Sequence, residues 1–116
     1  MTQEDKQLLL KDLCSRLPCG VKFQGEDSNV YTLDAANYFA LQVEDVVFKP
    51  YLRPMSSMTE EEKDELLNLR KEMNMHMHPW IDRILDFYLS HHLDWRGLIL
   101  LELALEAPEG MYKAKQ

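Results

Sequence analysis

Three short runs of side chains have the widest chemical reach. Met73-Asn74-Met75-His76-Met77-His78 mixes thioethers with imidazoles, the soft ligands that copper favours. On a helix, ligands share a face at spacings of three or four, so Met73, Met77 and His76 partly align while His76 and His78 diverge. The simpler reading is a helix end, with methionines filling the core and histidines bonding the last carbonyls. His91-His92 is the second run. Adjacent helical residues point about 100° apart, so the two imidazoles do not grip one ion. His92 falls in line with Tyr88 and Leu89 and reads as packed, whereas His91 reads as solvated. With Asp94 close by, the pair could still supply a base. The third run, Glu60 to Glu65, is dense in carboxylates and interrupted by Lys63. It could hold a divalent cation, but a solvated helix start explains it better.

Other chemistries find less support. Ser56 and Ser57 lack the Gly-x-Ser-x-Gly elbow of a nucleophile and suit local bonds to backbone. The glycines, Gly20, Gly25, Gly97 and Gly110, lie too far apart for a phosphate-cradling loop. Cys14 and Cys19 have a C-x4-C spacing, uncommon for zinc or redox sites, and Cys14 falls on the apolar side of a helix as a buried thiol. Pro50 and Pro54 are off register for the usual P-x-x-P ligand. No catalytic, cofactor-binding or metal residue is assigned. The residues best suited to a partner are Tyr51, Arg53, Trp95 and Arg96, since aromatics and arginines dominate binding hot spots. With Trp80, they also read as core aromatics with guanidinium partners.

The elements that position these residues divide at Lys49-Pro50-Tyr51-Leu52-Arg53-Pro54. Each proline fixes φ and pushes the preceding residue into an extended conformation, so residues 49–58 predict a stiff hinge. The hinge ends where Thr59 and Glu62 form a capping box for a helix starting at Glu60. Before the hinge, Thr2 and Asp5 cap a helix from Gln3 to Arg16. Leu9, Leu10, Leu13, Cys14 and Leu17 form its apolar stripe, with Lys11, Asp12, Ser15 and Arg16 opposite. Pro18 and Gly20 stop it. The period then changes to two, predicting strands at Val21–Gln24, Val30–Leu33 and Tyr38–Val43, joined by short loops in an antiparallel meander. Residues 44–48 suit either a helical turn or a further strand. After the hinge, Leu66, Leu69, Met73 and Met77 mark one helix face, and Pro79 suits the first turn of a third helix. Ile81, Ile84, Leu85, Tyr88 and Leu89 line that third helix. Asp94 suits the cap of a short fourth helix or helical turn from Trp95 towards Leu105, weakened by Gly97, and Met111–Gln116 reads as a loose tail.

The 116 residues suit one domain, with 18–48 β-rich, 49–58 the proline hinge and 59–110 helical. The fold class is α+β: an N-terminal helix, a small antiparallel sheet of about three strands, and a helical C-terminal half. An SH3-like barrel over 18–54 is the alternative. A net charge of −7 disfavours broad phosphate-backbone binding and suits a soluble protein or one meeting a basic partner. No secretory leader and no membrane span is seen, which suits a cytoplasmic setting.

Two blocks, Lys49 to Glu62 and His91-His92-Leu93-Asp94-Trp95-Arg96-Gly97-Leu98-Ile99 with Leu103 to Tyr112, carry a resemblance. The chain resembles a family of short uncharacterised proteins of gut anaerobes and their phages or mobile elements. The likeness spans most of the chain and is weakest over Gly25–Val43. It implies no activity, so no site residue carries over. It implies an accessory role. The expectation is a non-catalytic interaction protein whose partner is another protein or a second copy. A small histidine-dependent enzyme or metal-binding protein is one alternative. A nucleic-acid-binding accessory protein using Lys22, Lys49 and Arg53 is another.

Overall fold

The computed structural model describes residues 2–43, 49–75 and 77–112. Helix α1 spans Gln3–Arg16. Its capping box is formed as the sequence predicts: Asp5 N–H donates to Thr2 Oγ1 at 3.0 Å, and Thr2 N–H to the Asp5 carboxylate at 3.4 Å. A short 3-10 turn, Leu17–Cys19, ends at Gly20, whose φ of 67° is the left-handed geometry that glycine reaches without a Cβ clash.

Strands β1, Lys22–Gln24, and β2, Val30–Thr32, form an antiparallel hairpin with Phe23 opposite Tyr31. The residues expected to continue as a third strand instead form helix α2, Ala35–Val43. Period-two alternation of Phe39, Leu41 and Val43 suggested the strand, but Asp34 decides the matter. Its carboxylate accepts Asn37 N–H at 2.7 Å and its carbonyl accepts Tyr38 N–H at 2.9 Å, which closes a first helical turn over two alanines. Phe39 is left exposed, and Tyr38 lays its hydroxyl on Leu10 O at 3.2 Å. The undecided segment 44–48 lies outside the described residues.

The proline segment is extended, as expected, but it is strand β3, Lys49–Leu52, rather than a free connector. A further strand, β4, Leu105–Glu106, runs parallel to β3, which makes the sheet mixed rather than an antiparallel meander. Among the described residues the sheet has four strands in the order β2-β1-β3-β4, so residues 49–52 of the hinge occupy its interior. The sheet is open, with β2 and β4 at its edges, and is not an SH3-like barrel. Proline is tolerated here for a geometric reason. Leu52 O accepts Ala107 N–H, so even-numbered β3 positions face β4, and β4 begins opposite Tyr51. Pro50 therefore lacks its N–H where, among the described residues, no strand stands to receive it.

After a 3-10 turn, Met55–Ser57, helix α3 runs Glu60–Met75 and α4 runs Met77–Ser90. The Thr59–Glu62 capping box is made: Glu62 N–H donates to Thr59 Oγ1 at 3.1 Å and Thr59 N–H to Glu62 Oε1 at 2.8 Å. Among the described residues no helix follows Asp94, which caps a turn instead. Its carboxylate accepts Leu98 N–H at 2.8 Å and Ile99 N–H at 3.0 Å, and left-handed Gly97 and Glu102 keep the chain in turns. Hydrophobic residues then gather in two clusters. Leu9, Leu13, Val21, Phe23, Leu33, Leu52, Leu98 and Leu103 join α1 to the sheet, while Leu66, Phe87 and Leu93 seal the α3–α4 hairpin. Among the described residues, no helix is long and apolar enough to cross a membrane. The molecule is α+β, as expected, with an N-terminal helix, a mixed sheet and helices in its C-terminal half, although α2 interrupts the strands and β4 follows α4.

Candidate functional site

Where α3 starts, three chain segments enclose a broad groove of about 1380 Å³. One wall is the first turn and a half of α3, another is the stretch from Glu106 to Tyr112, and Arg53, His91 and His92 lie between. The capping residue Glu62 organises the floor. Arg53 grips its carboxylate with both Nη atoms, at 2.8 Å to Oε2 and 2.7 Å to Oε1. His91 Nδ1 lies 2.9 Å from Oε2, and Thr59 N–H occupies Oε1 as well. The Arg53 hydrogen bonds hold the Glu62 carboxyl down at about 2, although partial burial pushes the other way. The same pairing raises Arg53.

His91 is therefore oriented rather than freely solvated. Its Nε2 side faces Glu65 Oε2 at 3.7 Å, and its ring leans on Phe87 with centroids 4.5 Å apart. A carboxylate on Nδ1 fixes which ring nitrogen can act toward a neighbour, the arrangement that orients a histidine base. His92 is the packed residue that the pattern indicated. Its ring stacks on Tyr112 at 3.8 Å, its φ is 58°, and burial, with Arg16 and Arg53 nearby, lowers its pKa to about 4. It is a neutral ring near neutral pH.

The four partner candidates are not brought together. Arg53 is in the groove, bound to Glu62. Tyr51 is half-buried on β3, where its carbonyl accepts Tyr112 Oη at 2.7 Å. Trp95 and Arg96 lie elsewhere: the Arg96 guanidinium sits 4.2 Å over the Trp95 ring, and Trp95 stacks with Tyr88. Arg96 Nε also reaches Asp12 at 3.1 Å. Trp95 is thus a half-buried aromatic paired with a guanidinium.

Other expectations change. Asp12 and Arg16 belong not to a solvated face of α1 but to the interior, both fully buried, because the segment following His92 covers that side. Cys14 is exposed rather than buried, and burial raises the thiol pKa of Cys19. Ser57 makes the local backbone bond expected of it, to Pro54 O at 2.7 Å. Tyr112 is no part of a loose tail, and nothing local in the sequence marks it, since its partners lie 61 and 90 positions away. The Met73–His78 ligand reading and Trp80 fall outside the described side chains. Among the described residues, no three His, Cys, Asp or Glu side chains are grouped to hold a metal.

Comparison of the chain with protein-family models, curated proteins and solved structures finds no match. The functional reading therefore comes from the fold and the groove.

Proposed function

We propose that the protein is a cytoplasmic, non-catalytic interaction module whose groove receives a lysine- or arginine-rich segment of a partner protein. The observation behind this reading is the charge of the walls. Glu60, Glu61 and Glu65 come from one side and Glu106 and Glu109 from the other, while the lining cation Arg53 is already neutralised by Glu62. A concave surface with carboxylates on two independent elements steers and orients cations, and the overall charge of −7 adds to that field. The same field opposes nucleic-acid binding, and Arg53, one of the residues needed for it, is committed to Glu62.

The test uses a fluorescent lysine- and arginine-rich peptide. Glu61→Lys with Glu109→Lys should weaken binding about tenfold or more, whereas Glu4→Lys with Glu26→Lys, the same change in net charge away from the groove, should weaken it far less. Equal losses from both pairs would reduce the effect to net charge and sink the groove as a site.

A second reading rests on one contact, Glu62 with His91 Nδ1. A histidine so oriented could serve as a general base towards a groove-bound molecule. Loss of a hydrolytic activity in His91→Gln, with folding intact, would favour it over the interaction module.

A further inference from the structure

The β1–β3 ladder pairs Phe23 with Pro50 and Gln24 with Lys49. One step further, this antiparallel register would pair Lys22 with Tyr51, and that pair is missing from it. Instead, Lys22 N–H donates to Tyr112 Oη at 2.8 Å, and the same hydroxyl donates to Tyr51 O at 2.7 Å. A side-chain hydroxyl thus stands between two strands where two backbone groups would otherwise meet. It can do so because a phenol both accepts and donates.

Tyr112 reaches this gap at the end of the segment Ala107–Tyr112, which also forms a wall of the groove. One end of the segment is held by Ala107 N–H on Leu52 O at 2.8 Å, and the other by Tyr112. Between them Pro108, Glu109 and Gly110 are exposed, and Gly110 has a left-handed φ of 84°.

We propose that Ala107–Tyr112 is a strap with two settings, exchanged by moving the Tyr112 hydroxyl in and out of the β1–β3 ladder. In the closed setting the hydroxyl bridges Lys22 and Tyr51. In the open setting Tyr112 withdraws, the strands close by one residue, and Lys22 N–H donates directly to Tyr51 O. Both settings satisfy the same two backbone groups, so opening orphans neither of them. What opening gives up is the burial of the Tyr112 ring and its stack on His92. Two arrangements that each satisfy their polar groups are the requirement for a bistable element. Opening swings the wall that carries Glu109, so the width of the groove follows the closure of the ladder. The inference stands on the ladder geometry and holds whatever the groove binds.

Amide exchange followed by NMR on the full chain tests it. Tyr112→Phe removes the hydroxyl and keeps the ring. The expected result is a Lys22 amide that stays protected, because it finds Tyr51 O, while the Met111 amide, which donates to Pro108 O at 3.1 Å in the closed strap, exchanges about tenfold faster. A Lys22 amide that loses protection in this variant would mean that the strands cannot close, and the proposal would be wrong. Unchanged exchange along the strap would overturn it equally. If the variant does not fold, relaxation dispersion on the unaltered chain reads the same equilibrium. A single exchange process shared by Lys22, Tyr51, His92 and the strap supports two settings. Exchange confined to the strap, or none, rules them out.

Discussion

Asp12 and Arg16, one turn apart on α1, form an ion pair with no exposed side-chain surface, Nε to Oδ2 at 2.7 Å. Neither charge is left to its partner alone. Arg16 Nη2 donates to Leu93 O at 2.8 Å, and Arg96 Nε donates to Asp12 Oδ1 at 3.1 Å. One carboxylate thereby ties α1 to the turn that follows α4. Among the described residues Arg16 Nη1 has no hydrogen-bond partner, so the desolvation of this guanidinium is only partly offset.

Removing Asp12 strands Arg16, whereas removing Arg16 leaves Asp12 with Arg96 Nε at 3.1 Å. Asp12→Ala should therefore lower unfolding free energy by about 3–5 kcal/mol, because an unpaired buried charge remains, and Arg16→Ala should cost less. Asp12→Leu combined with Arg16→Met should cost well below the sum of the two. Urea unfolding of the two single variants and the double variant checks this. An additive double variant would mean that the pair is not the source of the effect.

Acid should weaken the fold through two groups that bind protons more readily when unfolded. Glu62 titrates at about 2 when folded against 4.5 ordinarily, so its contribution is present above pH 4.5 and is lost as pH falls towards 2. His92 titrates at about 4 against 6.5, so its contribution is present above 6.5 and is lost as pH falls towards 4. The expected urea midpoint therefore declines first between pH 6.5 and 4, then further below 4.5. His92→Asn keeps a residue that tolerates the positive φ. It should flatten the upper part of that decline and leave the lower part. An unchanged profile would remove His92 as its cause.

Elements whose signals are local were legible in the sequence. Both capping boxes announce their helices, because cap and partner sit three residues apart. The hairpin around Gly25–Asn29 is equally local. What escaped depends on distant partners. Residues Tyr38–Val43 alternate like a strand, yet the cap at Asp34 and the Tyr38 contact with Leu10 make them a helix. Asp12 and Arg16 look like a solvated face until residues far along the chain cover them. In the site, the Glu62 cap could be read but not its grip on Arg53 and His91. The wall at Tyr112 was invisible, since a lone tyrosine near the end of the chain carries no pattern.

The two prolines should not be equivalent. Pro50 is fully buried within β3, whereas Pro54 is half-buried and precedes the 3-10 turn. Pro50→Ala removes two ring carbons from the interior and should cost about 1–2 kcal/mol at roughly 0.8 kcal/mol per buried methylene. Pro54→Ala should cost less, mostly through a freer unfolded chain. Thermal melts of the two variants decide the ranking. A larger loss from Pro54 would assign the segment's importance to stiffness rather than to its place in the sheet.

Alkali should act through Tyr112. Burial pushes its phenol up to about 12 from an ordinary 10.0, with the Lys22 backbone hydrogen bond working against this rise. Between those values the unfolded chain has released the proton and the folded chain has not, so stability falls as pH rises through the interval. The hydroxyl must keep its proton because it donates to Tyr51 O, an acceptor that a phenolate would repel. A near-ultraviolet phenolate titration of the five tyrosines should show a late phase coinciding with unfolding. Tyr112→Phe should remove that late phase, and its persistence in the variant would assign it to another tyrosine.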